Sequence, residues 1–148
     1  YQEIILEHGK NPRNLGKPEN FNKYAKGNNT LCWDNLHVYL KLNGQRKVED
    51  ISFEGSGCAI SMASASIMTD LMKGKSDNEA KEIIEDFLGM IKENPGLKSN
   101  ILEEDDKTKL MCLSGVKQYP MRVKCATLSW HTLVSAIEDD GKEISTES

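Results

Sequence analysis

Four cysteines, Cys32, Cys58, Cys112 and Cys125, are the residues of this chain most able to do chemistry. The thiolate is the form that binds metal or attacks sulfur, so what matters is which surroundings favour it. Cys58 follows Gly55-Ser56-Gly57, where a strand pattern gives way to a helical one. Unpaired N–H groups and the macrodipole at a helix start favour a thiolate, and glycines there let the backbone approach a ligand closely. Packing as a small apolar residue is an equal alternative. Cys32 and Asp34 flank Trp33 at the end of a polar loop. A residue and its second neighbour face one side of an extended chain, so this thiol and carboxylate could share a cation. Asp34 alone needs nothing more than solvation or a turn bond, but a cysteine on a polar loop is less easily dismissed, because inert cysteines are usually buried. Cys125 closes Arg122-Val123-Lys124-Cys125 near the start of the last helix, where two cations and the helix end would favour its thiolate. Core packing beside Ala126 and Trp130 competes with that reading, and Arg122 and Lys124 are equally well explained as solvated cations. Cys112, between Met111 and Leu113, reads as core. His8, His37 and His131 share no spacing with a cysteine that compels ligation and are assigned structural roles. No C-x-x-C pair is present, so spacing alone does not establish a zinc site.

The elements that must position these residues belong to one domain. At 148 residues the chain can bury a core without cross-links but is short for two domains. Its net charge of −4 argues against nucleic-acid binding, which needs a basic face, and no apolar run is long enough for a membrane span. The cysteine spacing lacks the density of a disulfide scaffold, and no signal-peptide pattern precedes it, so a reducing cytoplasmic location is expected. The chain opens at Tyr1 inside a helical pattern, so a few native residues are expected to precede it.

Residues 1–10 read as a helix with Ile4, Ile5 and His8 on one face, stopped by Gly9 and Asn11-Pro12. Residues 11–29 read as loop, with one short strand near Tyr24. Leu36, Val38, Leu40 and Leu42 alternate as in a half-buried strand. Asn43-Gly44 predicts a two-residue type I′ hairpin, and the return strand to Phe53 needs a bulge near Asp50. A helix of small and aliphatic residues runs from Cys58 to Gly74. Ser76 and Glu79 form a capping box ahead of an amphipathic helix carrying Ala80, Ile83, Ile84, Phe87, Leu88 and Ile91. A short helix over 105–114 and a last helix from near Pro120 follow, the latter burying Ala126, Trp130, Leu133, Val134 and Ile137. Residues 141–148 read as a frayed tail. Strands first and helices after predict an α+β fold: a small antiparallel sheet of about three strands with helices on one side, in a single domain over 1–148.

Four blocks of residues, in order, carry a resemblance. They are Gly27-Asn28-Asn29 with Cys32 and Asp34; Phe53-Glu54-Gly55-Ser56-Gly57-Cys58-Ala59-Ile60-Ser61 with Ala63-Ser64-Ala65-Ser66; Gly74-Lys75-Ser76; and Pro120-x-Arg122-Val123-Lys124-Cys125-Ala126-Thr127-Leu128-x-Trp130. Together they resemble the U-type iron–sulfur cluster assembly proteins, the NifU N-terminal, IscU and SufU family, over nearly the whole chain. The long interval from Cys58 to Cys125, and Lys124 in place of a histidine ligand, resemble the SufU branch. Tyr119-Pro120-Met121-Arg122-Val123-Lys124 replaces the family's chaperone-binding Leu-Pro-Pro-Val-Lys segment, which speaks against dependence on that chaperone.

The resemblance implies a SufE/NifU-like fold and a tetrahedral site of Cys32, Asp34, Cys58 and Cys125. That site would hold Zn²⁺, or an iron–sulfur cluster such as [2Fe–2S]. It further implies a cytoplasmic protein that takes sulfur from a PLP-dependent, SufS-like cysteine desulfurase and meets other Suf assembly proteins. By the same implication Cys32 is the sulfur acceptor, leaving the metal while the desulfurase supplies a replacement ligand. Arg122 and Lys124 would tune the site. Such a protein is a sulfurtransferase-like acceptor and scaffold rather than a conventional enzyme. Where the family reads Asn-Pro-Thr-Cys-Gly-Asp, this chain reads Asn29-Thr30-Leu31-Cys32-Trp33-Asp34. Trp in place of Gly removes easy access to positive φ and sets a large ring between two ligands, to shield the metal or to obstruct docking. A retained metal site with altered loop dynamics is expected. Two further classes of function remain: a thiol enzyme with Cys125 as nucleophile and His131 as base, and a zinc-stabilised interaction module without sulfur chemistry.

Overall fold

The computed structural model describes residues 2–29, 34–93, 103–138 and 144–145. At its centre lies strand β2 (Asp34–Leu42), whose Leu36, Val38, Leu40 and Leu42 are buried as their alternation requires. On one side it pairs antiparallel with β3 (Val48–Ser56), on the other with β1 (Lys23–Asn29). A two-residue β4 (Ile144–Ser145), inside the segment read as tail, adds parallel to β1 and gives the order β3-β2-β1-β4. The main sheet is thus the expected three-stranded antiparallel one. However, β1 is a full seven-residue strand rather than a short one near Tyr24. Its sequence, Lys-Tyr-Ala-Lys-Gly-Asn-Asn, is poor in strand formers, and its pairing with β2 from Lys23↔Leu40 to Asn29↔Asp34 overrides that local preference.

The hairpin between β2 and β3 corrects the expected two-residue turn. Asn43 to Lys47 form a longer loop in which Arg46, at φ 59°, is the left-handed residue, and Gly44 is not. Asn43 Oδ1 accepts the amides of Gln45 and Lys47 at 2.9 and 3.1 Å. Arg46 is anchored to the next helix: Nε donates to Asp77 Oδ2 at 2.6 Å, and its carbonyl accepts the Asp77 amide at 2.9 Å. These tertiary bonds outweigh the local Asn-Gly preference. The bulge falls where alternation demanded it, since Lys41 pairs with Asp50 and Leu42 with Val48.

Helices cover one face of the sheet. They are α1 (Gln2–Lys10), α2 (Ala59–Met72), α3 (Asp77–Glu93), α4 (Glu104–Cys112) and α5 (Pro120–Glu138). A 3₁₀ segment, Leu113–Gln118, links the last two. The capping box of α3 is complete: the Ser76 amide donates to Glu79 Oε1, and the Glu79 amide to Ser76 Oγ, both at 3.1 Å. Between sheet and helices lie Leu36, Phe53, Met68, Phe87 and Trp130, the last two stacked at 4.2 Å.

His8 is buried and ties α1 to α2, its Nδ1 lying 2.7 Å from Ser66 Oγ, which also accepts the Arg13 amide. On the face of the sheet away from the helices, Tyr39 is buried beneath Phe21, and Tyr24 Oη lies 2.5 Å from His37 Nδ1. Both histidines therefore have the structural roles expected of them. The outer edge of β3 is occupied by loop backbone. Gly16 donates to the Phe53 carbonyl, Phe53 to that of Asn14, and Val48 to that of Lys75.

Candidate metal centre

Asp34 opens β2 opposite Asn29, and the next rung pairs Asn35 with Ser56, the last residue of β3. Two residues later Cys58 caps α2, so strand pairing alone brings the backbone at Asp34 and Cys58 to one end of the sheet. Gly55 makes the turn out of β3 feasible. Its φ is 141°, and a Cβ there would collide with the Asn35 carbonyl oxygen, the atom the chain must cross to reach Cys58. Cys58 is partly exposed and takes the N-cap role usual for Ser, Thr, Asp or Asn. Its Sγ accepts the Ser61 amide at 3.4 Å. A sulfur so placed already serves as an acceptor at the positive end of a helix, which suits a thiolate ligand.

Cys125 lies in the second turn of α5, fully buried. Two contacts seat that helix. Gly27 lets it close onto β1, because a Cβ there would collide with Thr132 Oγ1. Ser64 of α2 donates to the Ala126 carbonyl at 2.5 Å and accepts the Trp130 indole N–H at 2.8 Å. The residue after Cys125 is thus bonded to a residue two turns along α2 from Cys58.

A model of the NifU-like N-terminal domain matches residues 1–138. The chain belongs to this family. It is 41% identical to the zinc-dependent sulfurtransferase SufU of Bacillus subtilis, over 93% of this chain and 88% of that protein. It is 37% identical to the iron–sulfur cluster assembly scaffold protein IscU of Streptococcus pyogenes, over 93% and 82%. Among solved structures, a candidate iron–sulfur cluster assembly scaffold for the SUF system from Fervidobacterium islandicum superposes with a TM-score of 0.79 at 36% identity. That match covers 93% of this chain and 96% of that one. The family and the fold read from the four sequence blocks are those found.

Of the four residues that the family resemblance implies as ligands, Cys58 and Cys125 are described fully and Asp34 as backbone. Cys32 and Trp33 lie outside the described residues. Arg122 is exposed and Lys124 half-buried in the first turns of α5. Cys112 is the core residue expected: it is buried, its Sγ donates to the Thr108 carbonyl at 3.1 Å, and burial pushes its thiol pKa up. His131 lines a groove of about 380 Å³ between α3 and α5 with Lys81, Ile84, Leu88 and Glu138. It sits six residues beyond Cys125 and off its helical face.

The sequence assigns no role to two serines, Ser61 of the Cys58 block and Ser129. Among the described residues, Ser61 and Ser129 are fully buried with hydroxyls that have no hydrogen-bond partner. Ser61 is three residues after Cys58 and Ser129 four after Cys125. Only burial could have singled them out, since serine in a helix is otherwise unremarkable. Among the described residues no three His, Cys, Asp or Glu side chains converge to hold a metal ion. Cys58 at a helix cap and Cys125 in a buried helical turn have the donor chemistry that Zn²⁺ or an iron–sulfur cluster takes.

Proposed function

We propose that this domain acts in iron–sulfur cluster assembly, in a reducing cytoplasm, as an acceptor of sulfur from a PLP-dependent, SufS-like cysteine desulfurase. Cys32, Asp34, Cys58 and Cys125 hold zinc, and the same donors hold a [2Fe–2S] cluster when the domain serves as a scaffold. The observation that carries the reading is Cys58 at the cap of α2, delivered by Gly55 to the sheet end where Asp34 begins β2. Membership of the NifU-like N-terminal family supports it, as do the names of SufU and IscU relatives matched over most of their length. When bound, zinc keeps its cysteine ligands deprotonated near neutral pH.

Cys58 caps α2 and Cys125 is buried within α5, whereas Cys32 falls in the sequence between β1 and β2. The family resemblance assigns the exchanging ligand to Cys32, and a ligand borne on a connection between strands is the easiest to release. Its thiolate attacks the outer sulfur of the desulfurase's cysteine persulfide, the S–S bond there breaks, and the desulfurase cysteine leaves as a thiolate. Cys32 then carries the persulfide. Arg122 and Lys124, at the start of α5, offset the negative charge gathered on the donors.

Elemental analysis of protein purified without chelators tests the donor set, with about one zinc or one cluster per chain expected. The sulfur step is tested with the cognate desulfurase, cysteine and a reductant. The parent should stimulate sulfide release and Cys32→Ala should not; equal stimulation by the variant would remove Cys32 from the role.

A further inference from the structure

We infer that Ser61 and Ser129 are positioning residues that donate O–H···S hydrogen bonds to Cys58 and Cys125 when the site is loaded. The inference rests on the donor set proposed above. Of the three buried hydroxyls without a partner among the described residues, two lie within about one helical turn after a cysteine. Ser129 is at i+4 from Cys125 within α5, a spacing that shares a helical face, and Ser61 is three residues after the N-cap Cys58, in the first turn of α2. Side chains on a helix lean over the turn N-terminal to their own Cα, so each hydroxyl lies over the turn that carries its cysteine. For Ser61 the proximity is direct, because its amide already donates to Cys58 Sγ.

Neighbouring hydroxyls show that the orphaned state is not forced by the helix. Thr127 and Thr132 of α5 donate to the carbonyls of Val123 and Leu128, four residues back, at 2.8 and 2.7 Å. Ser129, between them, makes no such bond with the Cys125 carbonyl. A buried hydroxyl without a partner destabilises the fold that holds it, and the pattern recurs beside Cys58 and Cys125, the two described cysteines of the proposed donor set. Three thiolates and a carboxylate around one dication leave the loaded site formally dianionic, a charge that further hydrogen-bond donors would stabilise. Neither hydroxyl is bonded to a sulfur in this structure, and the loaded site would require each to turn towards its cysteine.

This assignment makes the metal-free and loaded proteins respond with opposite sign. Ser61→Ala and Ser129→Ala should each leave the metal-free protein at least as stable as the parent, since each removes an orphan. Each should weaken zinc binding by about tenfold or more, the usual effect of losing a group that hydrogen-bonds a metal ligand. Affinity is read by competition with a chromophoric chelator, melting temperatures are taken with and without zinc, and the sulfur-to-metal charge-transfer band is recorded with Co²⁺ in place of zinc. That band should shift in both variants. Ser52→Ala, which removes the third orphan on the far face of the sheet, should change neither affinity nor band. If the parent shows no thiolate–Co²⁺ band, the donor set itself is wrong. If the parent shows the band while both serine variants match its affinity and spectrum, the donor set stands and this inference falls.

Discussion

An alanine at position 55 would carry its methyl group into the backbone of the neighbouring strand. The built Cβ collides with the Asn35 carbonyl oxygen and lies 2.9 Å from the Asn35 carbonyl carbon and 3.0 Å from Leu36 Cα. All three are main-chain atoms of β2, so no side-chain rotation relieves them. Holding a non-glycine residue at φ 141° costs about 1–3 kcal/mol, and forcing paired strands apart adds about 1–3 kcal/mol. Gly55→Ala should therefore lose about 4 kcal/mol, or ~8–16 °C in melting temperature for a chain of this size. Urea unfolding of the metal-free protein measures it, followed by the fluorescence of Trp130, which is buried and stacked on Phe87. Gly44→Ala is the matched control: nothing stands within 4 Å of its Cβ and its φ is not positive, so it should be neutral or gain up to about 1 kcal/mol. A Gly55→Ala variant within about 1 kcal/mol of the parent would refute the argument that this residue lets the chain cross Asn35 on its way to Cys58.

The remaining predictions concern other parts of the frame. Burial holds the His8 pKa below its ordinary 6.5, so the stability linked to the neutral ring is complete above that value and is lost as pH falls through the folded-state pKa. Between pH ~7.5 and ~5.5 the parent's melting temperature should fall more than that of His8→Asn, and equal falls would count against a buried neutral imidazole. Ser76→Ala breaks the capping box of α3 and should cost about 1 kcal/mol in urea unfolding. Hydrogen bonds from the Ser76 backbone lower the Glu79 pKa, so its contribution is present above the ordinary 4.5 and fades as the medium becomes more acid; Glu79→Gln should flatten that part of the pH–stability curve.

The features legible in the sequence were those governed by local chemistry. The alternation of Leu36 to Leu42, the Ser76/Glu79 box and the glycines ahead of Cys58 each announce their structure within a few residues. Features set by distant partners were harder to read. β1 has little strand propensity and exists because β2 runs beside it. The Asn43-Gly44 signal lost to Arg46, whose left-handed backbone is held by Asp77, more than thirty residues away. At the site the cysteines stood out by type and context. Ser61 and Ser129 did not, because being buried and unpartnered is a property of the folded molecule.

Both long edges of the sheet are partly engaged. Beyond β1 lies β4, and along β3 the backbone groups of Val48 and Phe53 are taken up by loop segments at Lys75 and at Asn14 and Gly16. Unpaired edges invite strand addition from other chains, which leads to fibrils when uncontrolled and to docking by β-augmentation when selected. With those groups occupied, the β3 edge offers little to an incoming strand. On the function proposed above, a partner protein would then have to meet this domain through surfaces other than that edge.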